Sequence, residues 1–140
     1  MVEWAKDNCK LNSVNARFIM DDALKFVERE YRRGNKYNAL IMDPPSYGRG
    51  TEGETWKIET MLWPLVKSCV AILSAEPLFF LINSYTTGLS PTVIENIIRT
   101  GMKDHPGKIS SHEIGLEIKS NRQILPAGNF SRWENISSHI

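Results

Sequence analysis

Segments with helix-type and strand-type spacing alternate along this chain, and the alternation restricts its fold more than any other feature. Helix-type segments repeat apolar residues every three or four positions, whereas strand-type segments are short and rich in β-branched and aromatic residues. The predicted order is helix 2–11, strand 16–20, helix 22–33, strand 37–42, helix 54–73, strand 77–84, helix 90–100, strand 112–119 and strand 122–128.

This order predicts an α/β fold. Strands separated by helices pair in parallel, and helices cover both faces of such a sheet. The nearly continuous apolar run of 77–84 agrees with a strand buried on both sides. The last two strands are joined by "KSNR", a hairpin-sized connection, so one strand should be antiparallel. A chain of 140 residues without repeats suits a single domain, residues 1–140.

Local signals fix several element ends. Gly34 is a usual stop for the second helix, and Ser90 followed by Pro91 is a usual start for the fourth. Pro64 lies within segment 54–73 and should kink that helix or split it into two.

The net charge of +1 gives no overall electrostatic reason to bind nucleic acid. A local basic cluster exists in "REYRRGNK", residues 29–36, although cations at a helix C-terminus are more commonly a solvated helix end. Cys9 and Cys69 are distant from each other and from any metal-ligand spacing, which predicts a reducing compartment, a cytoplasmic location and no metal. No apolar run reaches about 18 residues, so we expect no membrane span.

The strand 37–42 ends in "DPPSYGRG", residues 43–50, at the sheet edge where open α/β folds bind ligands. Pro44 and Pro45 have fixed φ and no N–H, so they would form a stiff loop that offers acceptors only, beside the Asp43 carboxylate. Such a loop suits an amino or ring N–H group. Tyr47 could stack on a flat ring, and Ser46 lies between them as a second candidate substrate contact. Pro-Pro alone could instead merely end the strand.

Asp22 follows the strand-type run 16–20 and has two possible roles. As an N-cap it would accept a backbone N–H of the next helix. As a binding residue it would accept a hydrogen bond from a ligand amine at the sheet edge. The sequence does not separate these roles.

Residues 48–53, "GRGTEG", match G-x-G-x-x-G. That pattern indicates dinucleotide binding only when it follows a strand directly and opens a helix. Five residues intervene after the strand here, so a mobile loop over the site is the favoured interpretation, and a small nucleotide-binding enzyme using Gly48–Gly53 is an alternative.

The stretches "FIMDDALKFV", "LIMDPPSYGRG", "GETWKI" and "LPAGNFSRWE" resemble class I S-adenosylmethionine (SAM)-dependent methyltransferases, in particular relatives of large-subunit ribosomal RNA methyltransferases. The resemblance implies a Rossmann-like sheet of order 3-2-1-4-5-7-6. It implies that Asp22 and Ala23 contact the adenine of SAM, and that Asp43, Pro44 and Pro45 lie next to the transferred methyl group.

The family's first strand, its glycine-rich loop and its second strand have no counterpart here, so the chain is expected to lack the first two strands and to self-associate through an incomplete sheet. Relatives that use a cysteine nucleophile carry it near a strand end, whereas Cys69 lies in an apolar helical run. The resemblance therefore implies methyl transfer to RNA by direct displacement. The alternative is a non-catalytic remnant or binding module that keeps the fold but not the cofactor site.

Overall fold

The computed structural model describes residues 2–50 and 53–136. Its elements, in chain order, are α1 (Val2–Leu11), α2 (Ala23–Arg32), β1 (Ala39–Met42), β2 (Tyr47–Arg49), β3 (Thr55–Lys57), α3 (Ile58–Ala71), β4 (Phe79–Ser84), α4 (Pro91–Gly101), β5 (Gly107–Glu117) and β6 (Ile124–Asn135).

The main sheet of the described residues has the order β1-β4-β6-β5. β1 and β4 are parallel, and β6 is antiparallel to both β4 and β5. β6 thus runs against the three other strands, which confirms the predicted mostly parallel sheet with one antiparallel strand. The order also agrees with the 4-5-7-6 part of the sheet order that the family resemblance implied.

One face of this sheet carries the core. Side chains alternate along β4, so that Phe80, Ile82 and Ser84 are buried while the residues between them are half-exposed. The buried apolar side chains of α2, α3 and α4 form a single cluster with those of the strands. Its largest fully buried members are Trp133 and Phe80, which are register partners on β6 and β4.

The expectation that helices cover both faces is wrong for the described residues. Ile41 on β1 points away from the core and is 69% exposed. α1 buries none of its residues and makes no substantial contact with another element. The sequence of β4 is apolar at almost every position, so it could not show that one face of the sheet is covered and the other is open.

The predicted strand 16–20 is also wrong, since residues 14–20 have no regular structure and are all exposed. A strand exists only when a partner supplies hydrogen bonds, and no strand of the described residues pairs with this segment. The β-rich composition of this segment gives it strand propensity, but propensity alone does not form a strand in the described residues.

The third helix begins later than expected. Residues 55–57 form β3, which pairs with β2 as an antiparallel hairpin, and α3 then runs without a break from Ile58 through Pro64 to Ala71. Segment 54–73 is therefore a strand followed by one helix, and the helix is not split. Of the glycines of "GRGTEG", Gly48 lies in β2, whereas Gly50 and Gly53 lie in the connection from β2 to β3, with Thr51 and Glu52 outside the described residues.

The predicted ends of α2 and α4 agree with the structure, whereas the last two strands are longer than predicted, at 107–117 and 124–135 instead of 112–119 and 122–128. Ser90 Oγ accepts the N–H of Val93 at 3.4 Å and caps α4, with Pro91 in its first turn. Gly34 follows α2 with φ +72°, where a side chain would be strained. β5 and β6 form the expected hairpin across residues 118–123.

Gly128 allows β6 to approach the carboxyl end of β4. Its φ is +109°, and an added Cβ would lie 2.6 Å from the Ser84 carbonyl oxygen. A bulge beside it shifts the register between Ile114 and Gly115. Beyond this point the β5–β6 hairpin extends past the end of β4.

No helix among the described residues is long and apolar enough to cross a membrane.

Candidate functional site

A cavity of about 620 Å³ opens at the carboxyl end of β1. This volume falls within the roughly 300–1,000 Å³ usual for small-molecule sites. It is lined by Asp21, Asp22, Ala23, Leu24, Lys25, Glu28, Ile41, Met42, Asp43, Pro44, Pro45, Gly48, Arg49, Gly50, Glu54, Thr55, Trp56, Met61 and Leu65. The cavity brings together all five residues that the sequence assigned to the cofactor and the methyl group.

The N-terminus of α2 supplies one wall. Asp22 has extended backbone angles and accepts the N–H of Lys25 at 2.8 Å through Oδ1, so it is the N-cap of α2. Asp21 pairs with Arg29 two turns into the same helix, and that hydrogen bond lowers the pKa of Asp21. Asp21 therefore remains a carboxylate that fixes the entry of the chain into α2, while Asp22 is exposed and lines the cavity.

Asp43 and Pro44 supply the opposite wall. The Asp43 side chain is exposed and makes no hydrogen bond or ion pair with any residue that the structure describes. Pro44 is buried, and within the same part of the chain its carbonyl accepts no hydrogen bond. The Asp43 carboxylate and the Pro44 carbonyl thus offer acceptors to a ligand, and Pro44 has no N–H to donate.

The expected loop of free carbonyls is only partly correct. The Trp56 indole N–H donates to the Pro45 carbonyl at 2.6 Å, and the Ile58 N–H donates to the Ser46 carbonyl at 3.1 Å. The hairpin folds back and occupies both acceptors, which leaves Asp43 and Pro44. Residue types alone could not reveal this, because the donor is 11 residues away from the carbonyl.

The β2–β3 hairpin forms the third wall, which the sequence analysis missed as a structural element. Lys25 Nζ lies 2.7 Å from Glu54 Oε1, so an ion pair joins the first turn of α2 to the hairpin. Trp56 lies directly across from Gly48, whose lack of a side chain leaves room at the cavity. The stretch "GETWKI" held the signal for this wall, but the predicted helix 54–73 included residues 55–57 and so concealed the strand.

Ser46 and Tyr47 lie next to the cavity but do not line it. Ser46 Oγ is 2.7 Å from Thr86 Oγ1, and the Thr86 N–H donates to Ser84 Oγ at 3.2 Å. These bonds tie the residues after β1 to those after β4. The Tyr47 ring is 52% exposed, and its hydroxyl accepts a hydrogen bond from Arg49.

The geometry does not support catalysis by the Cys69 thiol or a dinucleotide-binding glycine loop. Burial raises the pKa of the Cys69 thiol to about 12, so it is not an available nucleophile. Gly48 lies within a strand, and the described residues of the glycine pattern, 48–50 and 53, begin no helix, so they do not meet the condition for dinucleotide binding. Among residues 2–50 and 53–136, no group of three or more His, Cys, Asp or Glu side chains is placed to hold a metal ion.

Comparisons with solved structures place the fold. The SAM-dependent methyltransferase from Agrobacterium tumefaciens is 33% identical to this chain, with a TM-score of 0.85 over 95% of this chain. The fold is that of a SAM-dependent methyltransferase. A candidate methyltransferase, SMU.776, complexed with SAH shares it at 14% identity, with a TM-score of 0.65 over 89% of this chain.

Both solved proteins are longer than this chain. The chain spans 45% of the Agrobacterium protein and 34% of SMU.776. A precorrin 8W decarboxylase from Methanobacterium thermoautotrophicum matches with a TM-score of 0.53 at 7% identity, over 93% of this chain and 61% of its own length. Neither protein-family models nor curated proteins gave a match.

Proposed function

We propose that this chain carries part of the site of a SAM-dependent methyltransferase that acts on RNA. The observation that carries the proposal is the single cavity that holds Asp22, Ala23, Asp43, Pro44 and Pro45 at one sheet edge. Support comes from the 33% identity to a SAM-dependent methyltransferase and from a cavity volume sufficient for SAM. The choice of RNA rests on the sequence resemblance to large-subunit ribosomal RNA methyltransferases.

The residues present fit SAM in their chemistry. Asp22 would accept a hydrogen bond from the adenine amino group beside Ala23, and the unpaired Asp43 carboxylate would attract the positive sulfonium. When bound, SAM supplies an electrophilic methyl group. The chain's own contribution is to hold the acceptor in line with it and to orient the acceptor lone pair.

Asp43 and the Pro44 carbonyl have this orienting role. An amino group that donates hydrogen bonds to both acceptors turns its lone pair away from them, toward the methyl donor. The exposed Tyr47 ring would stack on the base, and Ser46 would keep the loop in place through Thr86. A nitrogen or oxygen target is favoured over an unactivated carbon, because no cysteine is among the described residues that line the cavity.

A cytoplasmic location agrees with this function, because RNA is abundant there and both cysteines of the chain are free thiols.

The cofactor part of the proposal is tested by NMR on the isotope-labelled chain. SAM should shift the amide signals of the α2 N-terminus, the residues after β1 and the β2–β3 hairpin. We expect an affinity of about millimolar or weaker, because few of the contacts of a complete site are present. Asp43→Asn should reduce the shifts. Larger shifts with a nicotinamide dinucleotide, or SAM shifts at other surfaces, would contradict the proposal.

The RNA part is tested by tritiated methyl incorporation from SAM into total RNA. The chain alone is expected to be inactive, because few of the contacts of a complete SAM site are present. A protein that joins this chain to the rest of the site should incorporate label above a no-protein blank, and Asp43→Ala in that protein should abolish the difference while its thermal melt stays unchanged. Equal incorporation by wild type and by a folded Asp43→Ala would remove Asp43 from the site.

A further inference from the structure

A second groove, of about 440 Å³, lies between α2 and α3 and has no part in the proposed methyl transfer. It is lined by Val27, Glu28, Tyr31, Arg32, Pro64, Lys67, Ser68 and Ala71. Glu28 also lines the cavity at the end of β1, so the two spaces share a wall. The groove thus runs along the helices from the candidate site toward the C-terminus of α2.

The cations around this groove fall into two groups. Arg29 pairs with Asp21, Arg33 pairs with Glu30, and Lys36 Nζ donates to the Ala71 carbonyl at 2.8 Å. These three hold the fold together and account for most of the basic cluster in "REYRRGNK".

Arg32 and Lys67 form the other group. Both are exposed, both line the groove, and neither makes an ion pair or hydrogen bond with a residue in 2–50 or 53–136. They come from different helices, α2 and α3, so the fold and not the sequence brings them to one groove. The groove lining holds these two cations and one carboxylate, Glu28, so its net positive charge favours an anion.

Arg32 is not needed to cap its helix. The last carbonyls of α2 accept backbone hydrogen bonds: Arg33 N–H to Arg29 at 3.0 Å, Gly34 N–H to Tyr31 at 3.0 Å and Asn35 N–H to Glu30 at 3.1 Å. Capping of the helix C-terminus therefore does not explain why Arg32 lines the groove.

Tyr31 supplies an aromatic surface at the same place. Its ring is 60% exposed, although it shares a helix face with Leu24 and the buried Val27. Cations that follow a phosphate backbone, together with an aromatic ring on which a base stacks, are the features that bind single-stranded nucleic acid. We propose that the α2–α3 groove binds single-stranded RNA, with phosphates at Arg32 and Lys67 and a base on Tyr31. This proposal deepens the proposed function by giving the RNA substrate a binding surface outside the methyl-transfer cavity.

Substitution of Glu28 tests whether the ligand of the groove is negatively charged. Its carboxylate lies in the groove one helical turn before Arg32 and repels phosphate. Glu28→Gln should therefore strengthen RNA binding, whereas a groove that binds a cationic or apolar partner would bind it no better.

Fluorescence anisotropy of the whole chain with a 5′-labelled 12-mer of oligouridine measures this directly. Arg32→Gln with Lys67→Gln should weaken binding roughly 25-fold at about 0.1 M salt, and the slope of log K against log salt should become shallower by about 1.4, the value for two lost single-strand phosphate contacts. Tyr31→Ala should weaken binding roughly fivefold or more through lost stacking.

The matched control is Lys103→Gln with Lys119→Gln, which makes the same change in net charge at exposed positions away from the groove. Circular dichroism checks that every variant is folded. Equal losses in the two double variants, no binding by the wild-type chain, or binding of anionic phospholipid vesicles but not RNA would overturn the proposal. Because no step of the assay needs methyl transfer, a failure here is separate from a failure of the proposed function.

Discussion

At the scale of single residues, Asp22 shows how one side chain can be explained by two roles at once. Its Oδ1 accepts the Lys25 N–H and caps α2, and it also lines the cavity at the end of β1. A carboxylate has two oxygens, so capping with one leaves the other available to a ligand amine. The two roles require different properties of the side chain, which substitution can separate.

Asp22→Ala should lower the free energy of unfolding by about 1 kcal/mol through loss of the cap, and it should also weaken the SAM-induced NMR shifts. Asp22→Ser keeps a capping oxygen but removes the charge, so stability should be retained while the shifts still weaken. Urea unfolding and the NMR titration measure the two effects. Full SAM response in a folded Asp22→Ser would leave Asp22 with the capping role alone.

Trp56 is the residue that fastens the hairpin over the cavity, through its bond to the Pro45 carbonyl. Trp56→Phe keeps an aromatic ring and removes the N–H, so we expect a loss of about 0.5–1.5 kcal/mol in unfolding free energy. Trp63→Phe on α3 is the control, because the Trp63 indole has no hydrogen bond to a described residue, and its change should be smaller. Equal urea midpoints for the two variants would show that the Trp56 bond contributes little.

At the scale of secondary structure, sequence patterns predicted the elements that local chemistry determines. α4 was predicted from Ser90 and Pro91, and the β5–β6 hairpin from its short connection. The elements that depend on distant partners were missed. Segment 16–20 has strand composition without a partner strand, and β3 exists only because β2 lies beside it.

The candidate site follows the same division. Asp43 and the two prolines line the cavity because they directly follow β1, whereas Asp22 follows a strand-type run that forms no strand and lines the cavity as the N-cap of α2. The sequence did not predict the bond from Trp56 to Pro45 or the Lys25–Glu54 ion pair, because the partners are 11 and 29 residues apart along the chain. Sequence spacing could not show which of the proline carbonyls remains open.

The connection from α2 to β1 contains a buried acid that should give the protein a pH-dependent stability. Glu30 accepts hydrogen bonds from Tyr37 at 2.6 Å, Asn35 at 2.7 Å and Arg33 at 3.0 Å, and these bonds lower its pKa to about 2. Because the folded-state pKa lies below the unfolded value, the stabilisation is fully present above about pH 4.5 and is lost as the pH falls toward 2.

Urea midpoints measured between pH 5 and pH 2 should therefore fall for the wild-type protein. Glu30→Gln should be less stable at pH 5 and should show a weaker fall, with Asp21 still contributing because its pKa is also lowered. Glu76→Gln, at an exposed position, serves as control. If the urea midpoint of Glu30→Gln falls with pH as steeply as that of the wild type, other acids account for the pH dependence.

At the scale of the whole molecule, the helices that pack on the sheet lie on one face. The opposite face presents Ile41, with the half-exposed Phe79, Leu81 and Phe130 on the neighbouring strands. β1 also has an unpaired edge within the described sheet. Open edges and contiguous apolar surface favour association, so we propose that the chain self-associates through β1 and this open face.

Ile41→Lys should reduce the self-association without unfolding the chain, because the side chain is exposed in the monomer. Light scattering over a range of protein concentrations should show a mass that rises for the wild type and stays near 16.0 kDa for the variant. Val93→Lys, at an exposed position on α4, should behave as the wild type. A wild-type chain that remains monomeric at every concentration would contradict the proposal.

The two cysteines differ in a way that has a practical use. Cys69 is buried among the core residues with a pKa raised to about 12, whereas Cys9 lies partly exposed on α1, outside the core. Thiolate chemistry with a maleimide dye should therefore modify Cys9 and spare Cys69 while the protein stays folded. The native chain thus carries a selective attachment point on the one helix that buries no residue. A dye at that point would change its emission when α1 finds a surface to pack against, whether that surface belongs to another copy or to a different polypeptide.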